Sequence, residues 1–214
     1  MVNRDFIHYR EEYGREQLAV ELMKSDPIQQ FKIWYQQAEQ AEVPEPNTMT
    51  LGTVGDQGFP TVRVVLLKEI TDKGLIFYTN FRSRKGREME KHPKAALNFY
   101  WQKMERQVRL DGVITKVSDD VSDAYFATRP RGSQLGAWVS EQSSVIPSRE
   151  HLEEQLAHYQ KKFESAEVPR PPHWGGYLLE PVQVEFWQGG PNRLHDRIQY
   201  SNHSGEWTRC RLSP

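Results

Sequence analysis

The chain has 214 residues, which is enough for one large domain or two small ones. It carries 28 basic and 29 acidic side chains for a net charge of −1, together with 6 Trp, 9 Tyr and 9 Phe. So many aromatic residues at so low a net charge argue against a wholly disordered chain. The neutral balance also provides no global field to attract nucleic acid or an acidic membrane.

The residues that the chain lacks exclude several kinds of site and indicate a cellular compartment. Its single cysteine, Cys210, excludes an intrachain disulfide and any metal site built from several cysteines. The histidines show no metal-ligand spacing, so no metal is predicted. The longest aliphatic run, Val64–Leu67, is far shorter than the roughly 20 apolar residues of a membrane span, and the N-terminal residues show no apolar signal region. We therefore expect a cytoplasmic protein with no membrane partner.

Residues 1–25 are polar and charged, and we predict that they form an N-terminal arm. A helix begins at Asp26-Pro27, because aspartate suits the N-cap and proline suits the first helical turn. This helix ends before Pro44. No later stretch is rich enough in Pro, Gly or Ser to form a linker, so residues 26–214 are predicted to be a single domain.

Short β-rich runs punctuated by glycine and aspartate fill most of the remaining chain. They lie at 49–54, 61–68, 75–79, 95–101, 107–117, 177–187, 194–200 and 207–212. Helical signals lie at 83–91, 119–128, 134–140 and 148–164. Because the strands are mostly adjacent in sequence, we expect a mainly β (α+β) fold, an antiparallel barrel with peripheral helices.

The run from Arg63 to Lys68 places two cations around four aliphatic residues that favour burial. Charged side chains beside a core need an anionic partner, such as a carboxylate or a ligand phosphate. Strand parity puts the two cations on opposite faces, so a shared pocket requires the strand end to redirect one of them. The alternative is an edge strand with two solvated ends.

A second basic segment, around Ser83, ends a strand and opens a helix. Arg84 and Lys85 in the first turn oppose the helix dipole, which favours an anion such as phosphate at that helix end. A solvated basic turn is the alternative.

Tyr125 and Arg129 lie four residues apart on one helix face, and Pro130 ends the helix directly after them. Ser133 is predicted to cap the next helix and to direct its N-terminus at the same point. A phenol, a guanidinium and a hydroxyl together form a second candidate phosphate site. Alone, this segment equally fits a capped helix–turn–helix with a surface arginine.

Arg193, His195 and Arg197 alternate after the Gly189-Gly190 turn, so an extended chain places all three on one face. Three potential cations side by side repel one another unless an electron-rich partner lies over them. We therefore favour a functional role for this segment.

Gln107 has a side-chain amide that can both donate and accept a hydrogen bond, as the pyrimidine edge of a flavin requires. Taken by itself, Gln107 is more typical of an ordinary surface residue.

Together these segments resemble the pyridoxine (pyridoxamine) 5′-phosphate oxidase family over almost the whole chain. The motifs that carry the resemblance are RVVLLK (63–68), FYTNFRSRK (77–85), ERQVR (105–109), RPRGSQLGAWVSEQS (129–143), HWGGY (173–177) and EFWQGGPNRLHDR (185–197). The resemblance implies a homodimer of FMN-binding split β-barrels of Greek-key type. It also implies oxidation of pyridoxine 5′-phosphate or pyridoxamine 5′-phosphate to pyridoxal 5′-phosphate, with O2 reduced to hydrogen peroxide.

The same resemblance assigns residues to both ligands. The FMN site is expected to contain Arg63, Val64, Val65, Leu66, Leu67, Lys68, Tyr78, Thr79, Arg84, Lys85, Gln107, Trp187 and Arg197, with Gln142 and Ser143 from the partner subunit. The substrate phosphate is expected at Lys68, Tyr125, Arg129 and Ser133, with Arg193 and His195 over the substrate ring and Arg10 and Tyr13 on the arm that closes over the pocket.

Arg193, His195 and Arg197 are the candidate catalytic residues. By resemblance, Arg197 stabilises the negative charge that develops on the flavin, and His195 orients the reacting group or takes its proton. The alternatives are another flavin reductase on the same barrel and a non-catalytic carrier of flavin or vitamin B6 phosphate. A nucleic-acid binder using the basic residues 82–87 is disfavoured by the net charge of −1.

Overall fold

The computed structural model describes residues 18–214. Arg10, Tyr13 and most of the predicted arm lie outside this range. The helices are α1 (Pro27–Gln40), α2 (Arg84–Lys91), α3 (Asp119–Thr128), α4 (Arg131–Val139) and α5 (Arg149–Lys162). The strands are β1 (Thr48–Val54), β2 (Pro60–Leu66), β3 (Glu69–Ile70), β4 (Leu75–Asn80), β5 (Lys94–Trp101), β6 (Arg106–Lys116), β7 (Trp174–Gln188), β8 (Asp196–His203) and β9 (Glu206–Leu212).

The strands form a sheet in the hydrogen-bonded order β2-β1-β5-β6-β7-β4-β3, and β8 pairs with both β7 and β9. The pairings β1–β2, β3–β4, β4–β7, β7–β8 and β8–β9 are all antiparallel. The prediction of an antiparallel, mainly β fold with additional helices is therefore confirmed. Among residues 18–214, none of the helices has the length and apolar character needed to cross a bilayer.

The described residues divide into two compact units. The first contains the chain up to Pro46, with Asn98–Leu110 and Val182–Pro214; the second contains Asn47–Leu97 and Asp111–Pro181. Strands β5, β6 and β7 contribute residues to both. The single domain expected over 26–214 stays a prediction, and each unit is described by itself.

In the first unit, α1 begins as its sequence predicts. The Asp26 carboxylate accepts a hydrogen bond from the Ile28 backbone N–H at 2.7 Å, which satisfies a free donor of the first turn. Phe31 and Trp34 are buried on one helix face. Their rings contact Phe99 and Phe186 at centroid distances of 4.9 and 5.0 Å, so the helix contributes aromatic packing to the core of this unit.

In the second unit, the ends of β2 and β4 and the helices α2 to α4 place the functional side chains. Ser83 caps α2, with its side chain accepting from the Gly86 N–H at 3.3 Å. A Cβ at Gly86 would lie 2.1 Å from the Phe81 carbonyl oxygen. Only glycine therefore lets this helix approach the end of β4 so closely.

Two details of this unit differ from the sequence prediction. Helix α4 begins at Arg131 rather than 134, with Pro130 at the N-cap position. The Ser133 N–H donates to the Pro130 carbonyl at 2.8 Å, so Ser133 lies inside the first turn and its predicted capping role is wrong. The backbone of Pro130 is fixed by its ring and starts the helix earlier. Strand β3, at Glu69–Ile70, was not predicted because a pair of residues gives no periodic signal.

The prediction that Arg193, His195 and Arg197 share one extended face is also wrong. Residues Pro191–Arg193 form a 3-10 turn, and Asn192 and Arg193 have left-handed φ angles of 55° and 61°. Strand β8 begins only at Asp196. Proline has no N–H for a β-ladder, which favours a turn at this point. Of the three cations, Arg197 alone lies in a strand.

Candidate functional site

The second unit contains a cavity of about 660 Å³, within the size range of small-molecule sites. Residues that the sequence analysis assigned to both ligands line it together. They are Val64, Val65, Leu66, Lys68, Tyr78, Thr79, Lys85, Tyr125, Arg129, Ser133 and Gln142. The remaining lining residues are Asn80, Thr128, Pro130, Gly136, Ala137, Ser140 and Trp174.

The cavity is cationic. Lys68, Lys85 and Arg129 line it, and among the described residues no aspartate or glutamate does. Lys68 lies beyond the end of β2 at Leu66. Its side chain is therefore not bound to the alternation of faces along the strand, which would place it opposite Arg63. Leu67, between Leu66 and Lys68, is buried and does not line the cavity. Three cations without a lining carboxylate favour anionic ligands.

Lys85 is the most buried of these cations, with 8% of the residue exposed. Its Nζ donates to the Gln142 side-chain oxygen at 3.0 Å and to Ser83 Oγ at 3.4 Å. Burial, assisted by the positive charge of Arg63, lowers the pKa of Lys85 to about 8. A buried ammonium with neutral partners is costly, and a phosphate in the cavity would offset that cost.

Gln142 lies close to two other cavity residues. Its amide oxygen accepts from Thr79 and Lys85 of its own chain, at 3.3 and 3.0 Å, and its contact with FMN of a partner subunit stays a prediction. Gln142 therefore belongs to the cavity of its own chain. Ser143 has a left-handed φ of 74°, is exposed and does not line the cavity.

Arg63 and Arg84 do not line the cavity, because both are held by the buried carboxylate of Glu88. Arg63 Nη2 and Arg84 Nε each lie 2.9 Å from a Glu88 oxygen, and the hydroxyls of Thr53 and Thr61 donate to it at 2.5 and 2.7 Å. These hydrogen bonds outweigh the effect of burial and lower the pKa of Glu88 to about 2. The contact of either arginine with a cofactor stays a prediction.

We expect Glu88→Gln to destabilise the protein by about 1–3 kcal/mol at pH 7, because the hydrogen bonds that it weakens involve charged groups. The carboxylate has a depressed pKa in the folded state, so its contribution is complete above the unfolded pKa and is lost as pH falls from 4.5 toward 2. Urea unfolding of both proteins at pH 7 and pH 3.5 measures this difference. An equal gap at both pH values would contradict the ionic role of Glu88.

Arg129 caps the C-terminal end of α3 and turns its guanidinium onto an aromatic surface. Its Cζ lies 4.5 Å from the centroid of the Trp174 ring. Burial lowers the pKa of Arg129, and its Nη1 is buried with no hydrogen-bond partner among residues 18–214. Beside it, the Tyr125 ring stacks on Tyr78 at 3.9 Å. The cavity therefore presents a guanidinium with a buried N–H group that lacks a partner within the described chain.

In the first unit, Arg197 forms a bidentate ion pair with the buried Glu185. Its Nε and Nη2 lie 2.8 and 3.1 Å from the two carboxylate oxygens, and its Nη1 donates to the Ser213 carbonyl at 2.9 Å. Arg109 lies 3.7 Å from the same carboxylate. The hydrogen bonds fix the guanidinium plane, and the pair with Glu185 raises the pKa of Arg197.

His195 lies beside Trp187, with ring centroids 4.7 Å apart. Its Nδ1 is positioned to accept from the Gly190 N–H at 3.2 Å. Burial, followed by the charge of Arg193, lowers the pKa of His195. The uptake of a proton by His195 stays a prediction.

The sequence-derived site residues thus fall into two sets, one in each unit. Gln107, Trp187, Arg193, His195 and Arg197 lie in the first unit; those of the cavity lie in the second. Glu88 and Trp174 are two of the residues to which the sequence analysis gave no role. Glu88 stands four residues after Arg84, a readable helical ion-pair spacing, whereas Trp174 was quoted within a motif but given no role.

Comparison with known proteins agrees with the motifs. A family model described as pyridoxamine 5′-phosphate oxidase matches residues 35–163, and one described as the pyridoxine 5′-phosphate oxidase C-terminal dimerisation region matches residues 174–214. The pyridoxine/pyridoxamine 5′-phosphate oxidase of Thermosynechococcus vestitus is 52% identical over 205 residues, covering 96% of this chain and 97% of the relative. The enzyme of the same name from Chromohalobacter salexigens is 49% identical and covers both chains completely.

Two solved structures share the fold. PhzG from Burkholderia lata 383, in complex with tetrahydrophenazine-1-carboxylic acid, has a TM-score of 0.89 at 30% identity and covers 95% of this chain and 100% of its own. A pyridoxamine 5′-phosphate oxidase-related, FMN binding protein from Nostoc punctiforme has a TM-score of 0.71 at 19% identity, covering 90% and 100%. The fold is therefore the split barrel that the motifs predict, and the chain belongs to the pyridoxine/pyridoxamine 5′-phosphate oxidase family of oxidoreductases.

Proposed function

We propose that the protein is an FMN-dependent oxidase that converts pyridoxine 5′-phosphate or pyridoxamine 5′-phosphate to pyridoxal 5′-phosphate. The alcohol substrate loses a hydride from its 4′ carbon and the proton of its 4′ hydroxyl group. O2 takes up the two electrons and two protons and becomes hydrogen peroxide. The amine substrate additionally consumes water and releases ammonia. The observation that carries the proposal is the cavity with three cations and no lining carboxylate among residues 18–214, in a chain about half identical to enzymes of that name.

The cationic cavity fits ligands that carry phosphate. Lys85 and Thr79 lie near the start of α2 and are assigned to the FMN side, where a helix N-terminus adds free N–H donors. Lys68, Tyr125, Arg129 and Ser133 are assigned to the substrate phosphate. Anchoring the phosphate holds the substrate ring in one orientation and makes the reaction effectively unimolecular. FMN, when bound, supplies the two-electron redox chemistry.

The experiment that tests this function combines cofactor analysis with turnover. The purified protein should be yellow, and chromatography of the flavin released on denaturation should give FMN. Pyridoxine 5′-phosphate should then consume O2 and yield pyridoxal 5′-phosphate and hydrogen peroxide in equal amounts. FAD as the main flavin, or a flavin-loaded protein without turnover, would overturn the proposal and favour a reductase or a carrier.

A second substrate class follows from the likeness to PhzG, whose structure holds a tricyclic carboxylic acid. A carboxylate would also satisfy the cavity cations. The higher identity to the vitamin B6 phosphate oxidases favours the phosphate ester. Turnover of tetrahydrophenazine-1-carboxylic acid in the same O2 assay, at a kcat/KM above that for pyridoxine 5′-phosphate, would reverse this order.

The matched C-terminal dimerisation region supports a homodimer. Sedimentation at micromolar concentration should give about twice the chain mass of 25.1 kDa. A monomer that retains FMN would contradict this proposal. The cytoplasmic location stays a prediction.

Lys85 predicts a pH dependence of FMN affinity. An anion near its Nζ favours the ammonium form, so the affinity should fall as pH rises above about 8, by up to tenfold per pH unit. The phosphate of FMN is already fully ionised there. Because the pKa of Lys85 is depressed, the apoprotein itself should become more stable as pH rises from about 8 toward 10.5.

Fluorescence titration of the apoprotein with FMN between pH 7 and pH 9.5 measures this effect. Lys85→Arg is the matched control, because a guanidinium stays charged throughout that range. Its FMN dissociation constant should be flat. A wild-type dissociation constant that is equally flat would remove Lys85 from the phosphate site.

A further inference from the structure

We propose that Trp174 is a positioning residue for the substrate phosphate, which it serves by holding the Arg129 guanidinium through a cation–π contact. The inference rests on the proposed function, since it concerns the phosphate end of that substrate. Its starting point is the guanidinium geometry within the second unit. The Arg129 Cζ lies 4.5 Å from the Trp174 ring centroid and 5.4 Å from that of Phe126.

Neighbouring arginines of this unit are held differently. Arg63 and Arg84 pair with Glu88, and Arg170 pairs with Asp119 and Asp123. Those ion pairs use N–H groups at the edge of the guanidinium. An aromatic ring that holds a guanidinium by a cation–π contact supplies no carboxylate oxygen, so N–H donors are left for an anionic ligand. The buried Nη1 of Arg129, which has no partner among residues 18–214, is such a donor.

Trp174 is itself fixed by neighbouring side chains. It is buried, and its ring lies nearly parallel to those of Tyr125 and Tyr78, with interplanar angles of 6° and 13°. Phe126 closes its edge in a T-shaped contact at 5.2 Å. Both Trp174 and Arg129 line the cavity. The aromatic stack therefore holds a cation at the cavity wall without neutralising it, as a dianionic phosphate monoester requires.

Two substitutions separate this role from simple packing. Trp174→Leu keeps an apolar side chain and removes the aromatic face, whereas Trp174→Phe keeps a weaker face. A desolvated cation–π contact predicts that the leucine variant raises KM for pyridoxine 5′-phosphate roughly 3- to 30-fold, with kcat within about twofold. The phenylalanine variant should show only a small part of that increase. Flavin content should stay normal in both.

The decisive measurement is a double-mutant cycle with Arg129→Ala. If Trp174 acts through the guanidinium, Trp174→Leu should not raise KM further in the Arg129→Ala background. Tyr159→Leu is the matched control, because Tyr159 packs on the same hydrophobic cluster but does not line the cavity. It should leave KM unchanged while lowering the melting temperature.

The outcomes distinguish the two proposals. An unchanged KM in Arg129→Ala itself would show that the phosphate site is misassigned, which is a failure of the proposed function. A raised KM in Arg129→Ala, together with a Trp174→Leu effect that is absent or equal in both backgrounds, would overturn the positioning role alone. If the leucine variant does not fold, the phenylalanine variant decides: its KM should rise about two- to threefold only where Arg129 is present.

Discussion

Replacing Arg129 with alanine should lower kcat/KM for pyridoxine 5′-phosphate about 10- to 150-fold and leave the FMN content unchanged. A hydrogen bond to a charged group is worth roughly 1.5–3 kcal/mol, which converts to that range of specificity constants. The loss should appear mainly in KM, because the phosphate lies away from the reacting 4′ carbon. The folded protein loses the cation–π contacts of Arg129 with Trp174 and Phe126 but no hydrogen bond at Nη1 within residues 18–214.

Arg131→Ala is the matched control for this prediction. Arg131 lies two residues further along the chain, and its guanidinium donates to the carbonyls of Phe163 and Ala166 rather than lining the cavity. Steady-state kinetics and the ratio of flavin to protein absorbance should be measured for both variants. Loss of flavin from Arg129→Ala with an unchanged KM would mean that the two phosphate sites are exchanged.

Local signals in the sequence were sufficient for many of the elements. Asp26 and Ser83 cap the helices that they were predicted to begin, because an N-cap needs only a short polar side chain and the N–H groups that follow it. Residues 64–66, 78–79 and 85 line one cavity, and they lie at the end of β2, near the end of β4 and in the first turn of α2. Lys68 leaves the strand face because β2 ends at Leu66.

Contacts between residues that lie far apart in the sequence could not be predicted from such local signals. The cations at 63, 84 and 85 look alike in sequence, yet two of them pair with Glu88 and one lines the cavity. The Glu88 carboxylate is also held by Thr53 of β1 and Thr61 of β2, which lie 35 and 27 residues before it in the sequence. The stack of Arg129 on Trp174 spans 45 residues of sequence, so spacing alone gave no signal for it.

The second large effect is expected at Arg197. If this guanidinium lies beside the reduced cofactor, replacing it with methionine removes a stabilising charge while keeping most of the side-chain volume. At an effective dielectric constant near 20, two unit charges about 4 Å apart interact by roughly 4 kcal/mol. Arg197 is 28% exposed and already paired with Glu185, so we reduce this to ~1–3 kcal/mol.

The flavin potential of Arg197→Met should therefore fall, and the reductive rate should drop about 5- to 150-fold. Stability does not distinguish the alternatives, because removing one partner of a buried ion pair costs roughly 3–5 kcal/mol wherever the cofactor lies. Arg109, 3.7 Å from Glu185, compensates part of that loss. The potential is diagnostic, since the loss of this positive charge lowers it only where the charge lies near the flavin.

Two further variants make the sign of the effect testable. Glu185→Gln removes the opposite charge of the same pair and should raise the potential that Arg197→Met lowers. Arg209→Met removes an arginine from β9 that contacts the Met23 and Lys24 carbonyls, and it should leave the potential unchanged. Redox titration and anaerobic stopped-flow reduction give both quantities. A folded, FMN-loaded Arg197→Met protein with wild-type potential and rate would assign Arg197 to the ion pair with Glu185 alone.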